Sequence, residues 1–565
     1  MTAPERDSTL VWYLLQPWKA SASLPIFSKS LFPLAWATHA RFGQLGLQIQ
    51  TRFPIVVKVF RQWDGGIPEQ VSEHLCASGH TILALPLLRE SGSRLFYSLH
   101  RDHAVLSDES DVTVDWVCDR PPAHVVHLAV VICTCDREPQ LRTLLGQIDT
   151  QLEDLATCII VNQGTKGLHE RLAVRDALKY RFVEQKNFGG AAGFTRGIIE
   201  ALSDPNITHI VLMDDDVEVD AGLLCRIRSA LAYISPQICI GGAMVDRDRR
   251  EHLLSIGHNF DSSRAMTTDQ LLRRDVHLED DVARFLFERP LKVGFCGWWC
   301  FCFPRQAVET CGLPLPLFLR GDDAEYGLRL KRAGFPTVMW PGVYVAHPNL
   351  QNQTRPWHHY YDRRNALICA LLERGAVSPK AIMRLMRGTF NALALYRYAE
   401  ARAGIDALKA YLGGAEDLKS WNEDMHRARM NDDEVSEVLS KGTPIYLAAY
   451  RAPSIRTAVT VLRVLRDILS FGRVKAMSAY DPIVRINAAS WKVGTVRRPE
   501  QVQIDSGRNV TELKRDPAQA RAVFLDMFRI LWFSVTHPAP KPEDFLRLAT
   551  PAWWNARLKA IIRKT

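Results

Sequence analysis

The stretch Ile210-Val211-Leu212-Met213-Asp214-Asp215-Asp216 constrains the fold more than any other, because an apolar run stops abruptly at three consecutive carboxylates. A short apolar run ended by such a change in polarity reads as a buried parallel strand. In open α/β sheets, ligands gather beyond the carboxyl ends of such strands. Three adjacent carboxylates repel one another unless something positive compensates. For clustered oxygen ligands without thiolates, the usual compensator is a hard divalent cation. Alone, the triplet would read as a solvated turn capping the helix that begins near Ala221; the apolar run before it and the motifs around it favour a site.

The surrounding order supports a sheet of this kind. Val125 to Cys133 is a long apolar strand, followed by Thr134-Cys135-Asp136-Arg137-Glu138-Pro139 and a helical pattern from Leu141. The unit recurs: Cys158 to Val161 leads into Asn162-Gln163-Gly164, Arg181 to Val183 leads towards Asn187, and Ile207 to Met213 follows. Alternating strands and helices predict a parallel, doubly wound sheet in which every strand delivers its loop to one carboxyl edge. Phe188-Gly189-Gly190-Ala191-Ala192-Gly193-Phe194 offers the small residues that let backbone approach a phosphate or sugar at a helix N-terminus. It matches neither the dinucleotide fingerprint nor a Walker loop.

A second acidic group, Asp322-Asp323-Ala324-Glu325, opens a helix, where the dipole favours carboxylates. N-capping explains one such acid but not three within four positions. The pair Trp298-Trp299 reads either as core or as a platform for the apolar face of a sugar. His347 closes an apolar run and is either a structural imidazole or a metal ligand completing the aspartate group.

The flanks differ. Between Gly46 and Cys118, five short β-rich segments separated by turn signals predict an antiparallel sandwich or small barrel, with Pro121-Pro122 as linker. From about Tyr360 the pattern is helical. The domains expected are therefore an N-terminal β-sandwich over 1–122, a central α/β domain over 123–370 and a helical region over 371–565. With 565 residues, 47% apolar and 24% charged, the chain is of globular composition.

The twelve cysteines form no zinc framework and read as small buried hydrophobes in a reducing cytosol. No signal peptide or spanning helix is expected. The net charge of +9 invites anionic partners. Nucleic acid ranks last among these, because clustered acids in the cleft would repel a phosphate backbone. In the tail, Trp553, Trp554, Ile561 and Ile562 with Arg557, Lys559, Arg563 and Lys564 suggest contact with a membrane surface, and Arg456 to Arg466 offers a second basic face. A terminal helix packed on its own domain is the competing reading.

Two acidic sites with separate duties suit sugar transfer better than hydrolysis: one supports departure of a nucleoside diphosphate, and the other takes the proton of an acceptor hydroxyl. The order of Thr134-Cys135-Asp136-Arg137, Asn162-Gln163-Gly164, Asn187 to Gly193, Met213 to Asp216, Gly297-Trp298-Trp299, Pro314 to Phe318, Asp322 to Arg329, Gly334 to Val338 and His347 resembles the GT-A type glycosyltransferases of family two. Within them it resembles the galactan-polymerising galactofuranosyltransferases of mycobacteria. The resemblance covers about residues 125 to 370.

It implies an inverting, Mn²⁺- or Mg²⁺-dependent transfer of galactofuranose from UDP-galactofuranose to a growing cell-surface glycan on a lipid, at the cytoplasmic face of the bacterial membrane. Carried over by position, Arg137, Gln163, Asn187, Gly189, Gly190 and Asp215 line the donor site. Asp214, Asp216 and His347 hold the metal, Asp323 is the base with Asp322 beside it, and Trp298 and Trp299 wall the acceptor site. One departure is Leu350, where the galactan polymerase has Trp. Transfer of another sugar such as rhamnose or galactopyranose, a non-catalytic saccharide-binding subunit, the linkage and a homo-oligomeric state all stay open.

Overall fold

The computed structural model describes residues 13–16, 30–31, 39, 43–63, 66–85, 93–102, 104–106, 111–152, 156–168, 179–271, 276–278, 290–349, 355–431, 437–438, 462, 464–466, 468–470, 483–487, 501–505 and 510–559. Its centre is a mixed, mostly parallel sheet. Leu128–Thr134 pairs in parallel with Ala156–Asn162 on one side and His209–Asp214 on the other, and Tyr180–Glu184 extends the parallel run beyond Ala156–Asn162. The sheet then reverses twice: Phe301–Pro304 lies antiparallel to His209–Asp214, and Cys239–Asp246 lies antiparallel to Phe301–Pro304. Two reversals restore the original direction. Cys239–Asp246 and its parallel partner Thr337–His347 therefore bring Asp246 and His347 to the same edge as Asp214.

Both faces of this sheet are covered, which is why its strands read as unbroken apolar runs rather than alternating ones. Val130, Ile132, Val211 and Met213 join a core shared with the N-terminal sheets. Ala129, Val131, Ile210 and Leu212 face the opposite core, beneath the helix Gly189–Leu202. Close approach of that helix to the sheet requires glycine: a Cβ at Gly193 would lie 2.1 Å from Cys133 Sγ, and one at Gly197 2.1 Å from Val131 Cγ1.

The N-terminal region holds two antiparallel sheets, one of four strands and one of five. Their inner faces meet in one core, where Tyr97 packs against Trp116 at 6.3 Å. The five segments expected from sequence are present. Glu69–Cys76 is an additional strand whose polar, largely exposed sequence hides it.

The C-terminal region is helical as expected, and Glu437–Val438, Ile483–Asn487, Gln501–Asp505 and Val510–Lys514 add a four-stranded sheet inside it. The boundary expected at 370 falls within a single helix, Pro356–Arg374. The tail reaches back to the centre of the molecule. Trp554 is 1% exposed in the central core, and its indole N–H donates to the Pro314 carbonyl at 2.9 Å. The membrane role expected of Trp554 is thereby corrected, since its apolar area is already buried. Trp553 is partly buried beside it, Arg557 donates to the Trp421 carbonyl, and Ile561, Ile562, Arg563 and Lys564 lie outside the described residues, as do Leu350, Arg456 and Arg463. No helix among the described residues is long and apolar enough to cross a membrane.

Candidate active site

The carboxyl edge of the central sheet collects the polar residues singled out in the sequence. Thr134 ends its strand with its hydroxyl donating to Asp215 Oδ2 at 2.6 Å. Arg137, from the next loop, donates through Nη1 to Asp216 Oδ2 at 2.7 Å and to Asp215 Oδ1 at 3.3 Å. His347 arrives from the far side of the sheet, its Nε2 3.3 Å from Asp216 Oδ1 and its Nδ1 2.7 Å from the Pro348 carbonyl. The compensating charge that three adjacent carboxylates require is thus partly built into the chain, by Arg137 and His347.

Electrostatics separate the three aspartates. Burial pushes Asp214 up to about 7 and Asp215 up to about 6, the latter opposed by Arg137 and the Thr134 hydroxyl. Burial also acts on Asp216, but His347 and Arg137 outweigh it and hold that carboxyl below its usual range. His347, pushed down by burial, is carried above its ordinary value by Asp216 and Asp214. One ligand atom each from Asp214, Asp216 and His347 lie within 4.8 Å of one another. Two carboxylate oxygens and an imidazole nitrogen suit Mn²⁺ or Mg²⁺, so the residues fit the expected ion.

The second acidic group enters on a tightly constrained loop. Phe318, Arg320 and Gly321 all have φ between 60° and 78°, a region two of them adopt only under strain. The helix Pro356–Arg374 holds this loop: Arg364, fully buried, donates to the Leu317 carbonyl at 2.6 Å. Asn365 donates to the Leu319 and Arg320 carbonyls at 3.0 and 2.5 Å, and Arg320 grips Asp362 with two nitrogens. The loop delivers Asp322 and Asp323 to the first turn of Asp322–Arg332. Burial, reinforced for Asp322 by its neighbour Asp323, raises both carboxyls, and Asp214 adds to the rise at Asp322. Glu325 points elsewhere: it forms a buried two-pronged pair with Arg329 and accepts from the Leu315 N–H, which removes it as a base.

Several expected site residues take supporting positions. The Gln163 amide is buried, donating to the Gly189 carbonyl and accepting from Phe188 N–H and Gln185, so it braces the glycine loop. Asn187 closes that loop by accepting from Gly189 N–H at 2.9 Å. Gly189, with φ of 77°, is needed for packing, since a Cβ there would lie 2.0 Å from the Phe318 carbonyl oxygen. A Cβ at Gly190 would stand 3.6 Å from Asp322 Oδ2, an ordinary contact.

The tryptophan pair divides. Trp298 is 5% exposed and packs edge-on to Phe194 at 5.1 Å, so it belongs to the core and does not wall the cleft. Trp299 stays half-buried, anchored by its N–H to the Gly242 carbonyl and set against His258 at 5.8 Å. His258, which acts on the charge of Asp323, was missed in the sequence because it belongs to a short polar strand with no motif of its own; Arg364 and Asn365 were missed inside an ordinary helical pattern.

Residues 122–370 match the family model described as Glycosyltransferase like family 2. The galactofuranosyltransferase GlfT2 of Mycobacterium tuberculosis is 27% identical over 409 residues, covering 67% of this chain and 63% of that protein. Its counterpart from Mycolicibacterium smegmatis is 28% identical over 326 residues, covering 54% of this chain and 50% of that one. The chain thus spans between half and just under two thirds of these relatives' length. Among solved structures, a mannosyltransferase of Pyrobaculum calidifontis in complex with GDP-Man and Mn²⁺ is 14% identical, with a TM-score of 0.31 over 55% of this chain and 81% of that one.

The fold and the edge residues define an α/β domain whose mixed, mostly parallel sheet carries an acidic carboxyl edge. More particularly, residues 122–370 resemble family-two-like glycosyltransferase domains, and the chain is similar over part of its length to mycobacterial galactofuranosyltransferases.

Proposed function

We propose that this chain transfers a galactofuranosyl residue from UDP-galactofuranose to a hydroxyl of a growing, lipid-linked cell-surface glycan, with inversion at the anomeric carbon. The observation that carries this reading is a charge-compensated aspartate group at the sheet edge together with a helix-borne carboxyl pair of raised pKa. The relatives' names supply the sugar. Asp214, Asp216 and His347 would hold Mn²⁺ or Mg²⁺, which when bound neutralises charge on the diphosphate. Arg137, half exposed at the mouth, adds a fixed cation beside the same group.

Across the cleft, Asp323 accepts the proton of the acceptor hydroxyl as its oxygen bonds to the anomeric carbon and the bond to UDP breaks. A carboxyl raised by burial is a stronger base than an exposed one once ionised. Asp322 and Trp299 flank the incoming acceptor. Purified protein with Mn²⁺ and a panel of nucleotide sugars tests this reading: UDP release should be fastest from UDP-galactofuranose with a galactofuranosyl acceptor. Faster release from a rhamnosyl or galactopyranosyl donor would replace the sugar, and no release from any donor would leave a saccharide-binding subunit.

A lipid-linked acceptor requires a peripheral membrane contact on the cytoplasmic side. With Trp554 buried, the surface of suitable composition is the exposed stripe Leu525, Phe528, Trp532 and Val535 along the helix Pro517–Thr536. Flotation with anionic liposomes should be weakened by Trp532→Ser; equal flotation of both proteins would exclude this face.

A further inference from the structure

The strand His252–Ser255 continues the central sheet outward and pairs with the two-residue edge strand Val276–His277, with His252 directly opposite His277 and Leu253 opposite Val276. Directly opposed residues project to the same face with Cβ atoms about 5 Å apart. The two imidazoles meet edge to face with centroids 4.6 Å apart. Beneath them, Leu253, Leu271 and Leu278 are buried in a small core, so the apolar side of this pairing is closed and the imidazoles occupy the other side. Glu251 joins them, because its carbonyl accepts from Leu278 N–H at 2.7 Å and fixes the turn.

One ligand atom each from Glu251, His252 and His277 lie within 4.8 Å of one another. The separation of His252 Nε2 from Glu251 Oε1 is 3.4 Å. That is long for a hydrogen bond, but it matches the ~3.3 Å edge of a tetrahedron whose metal–ligand bonds are about 2.0 Å.

We propose that Glu251, His252 and His277 form a structural site for a borderline divalent cation, Zn²⁺, that ties the edge strand to the sheet. Two imidazoles with one carboxylate suit this class of ion, whereas the two carboxylates and single imidazole at the sheet's carboxyl edge suit Mn²⁺ or Mg²⁺. Water completes the fourth position. The pairing it clasps is only two residues long, where a cross-link between opposed side chains adds most. The site is independent of the donor sugar and of the reaction.

The test uses the full chain, freed of metal with a chelator and held in excess Mg²⁺, then equilibrated with Zn²⁺, desalted and measured for zinc by mass spectrometry. One equivalent should remain on the unaltered protein and on Asp216→Asn, and less than a tenth on His252→Ala/His277→Ala. Zinc should raise the melting temperature of the unaltered protein but not of the double variant. Glu251→Gln and the single variant His277→Gln, made on the sheet edge, serve if the double variant misfolds, and each should weaken zinc affinity at least tenfold. No retained zinc on the unaltered protein, or equal retention on the histidine variants, would overturn the proposal. So would loss of zinc on Asp216→Asn alone, which assigns the ion to the aspartate cluster.

Discussion

Asp216 in the strand-borne aspartate group and the helix-borne pair Asp322 and Asp323 are treated in opposite ways. Asp216, carried on the strand side, is met by Arg137 and His347 and held below the ordinary carboxylate range. Asp322, buried, and Asp323, partly buried, are carried on a helix and pushed upward. A carboxylate kept charged beside fixed cations is suited to holding a metal and a diphosphate; one that releases its proton reluctantly is suited to taking a proton and giving it up again. The same residue type would serve two duties in the proposed mechanism because the surroundings differ.

The comparison breaks most completely if the charged member is removed. Asp216→Ala should lower turnover by on the order of 10³ or more, the scale of losing a principal electrostatic contact, and chelation should do the same to the unaltered protein. Activity surviving in metal-free buffer would sink the metal assignment. Asp323→Asn, nearly isosteric, should lower kcat by about 10²–10⁴ while UDP affinity changes by less than about tenfold. A matched loss of affinity and turnover would move Asp323 to the donor side, leaving Asp322 as base, since Glu325 is committed to Arg329.

Much of this placement of the acids on strand and helix was legible in the sequence. The strand ending in Asp214-Asp215-Asp216 announces itself because burial on both faces demands an unbroken apolar run, and the Asp322-Asp323 helix start because acids concentrate in a first turn. What the sequence hides is direction. Trp298 and Trp299 are adjacent and identical, yet one faces Phe194 in the core and the other faces His258, a difference set by tertiary packing. Likewise Gly189 reads as a place for a ligand, while its positive φ and the Phe318 carbonyl beside it show packing. The polar strand Glu69–Cys76 and the sheet within the C-terminal region lack the apolar pattern by which strands are recognised.

A milder change tests whether the helix-borne pair depends on its supports. Asn365→Ala removes two hydrogen bonds to a loop held at positive φ, with no contact to either substrate in the proposed mechanism. Loss of aim at Asp323 should lower kcat by up to about 10² with acceptor KM changed much less. A change confined to thermal stability would show that the loop keeps its shape without Asn365.

The smallest effect concerns pH and sharpens the contrast most finely. Burial raises the Asp323 carboxyl, while His258 and Arg320 pull it back, and Asp362 and the neighbouring Asp322 act on the same group. The base works only when ionised, so kcat/KM should fall on the acid side, with a midpoint above the ordinary carboxylate range. His258→Asn removes one of the two basic side chains that favour ionisation, so the Asp323 pKa rises further and the acid limb moves to higher pH. Below the midpoint the variant should be several-fold slower; well above it, where both proteins carry an ionised base, the two rates should converge. If the loss were equal at every pH, His258 would serve through its packing against Trp299 rather than through its charge on Asp323.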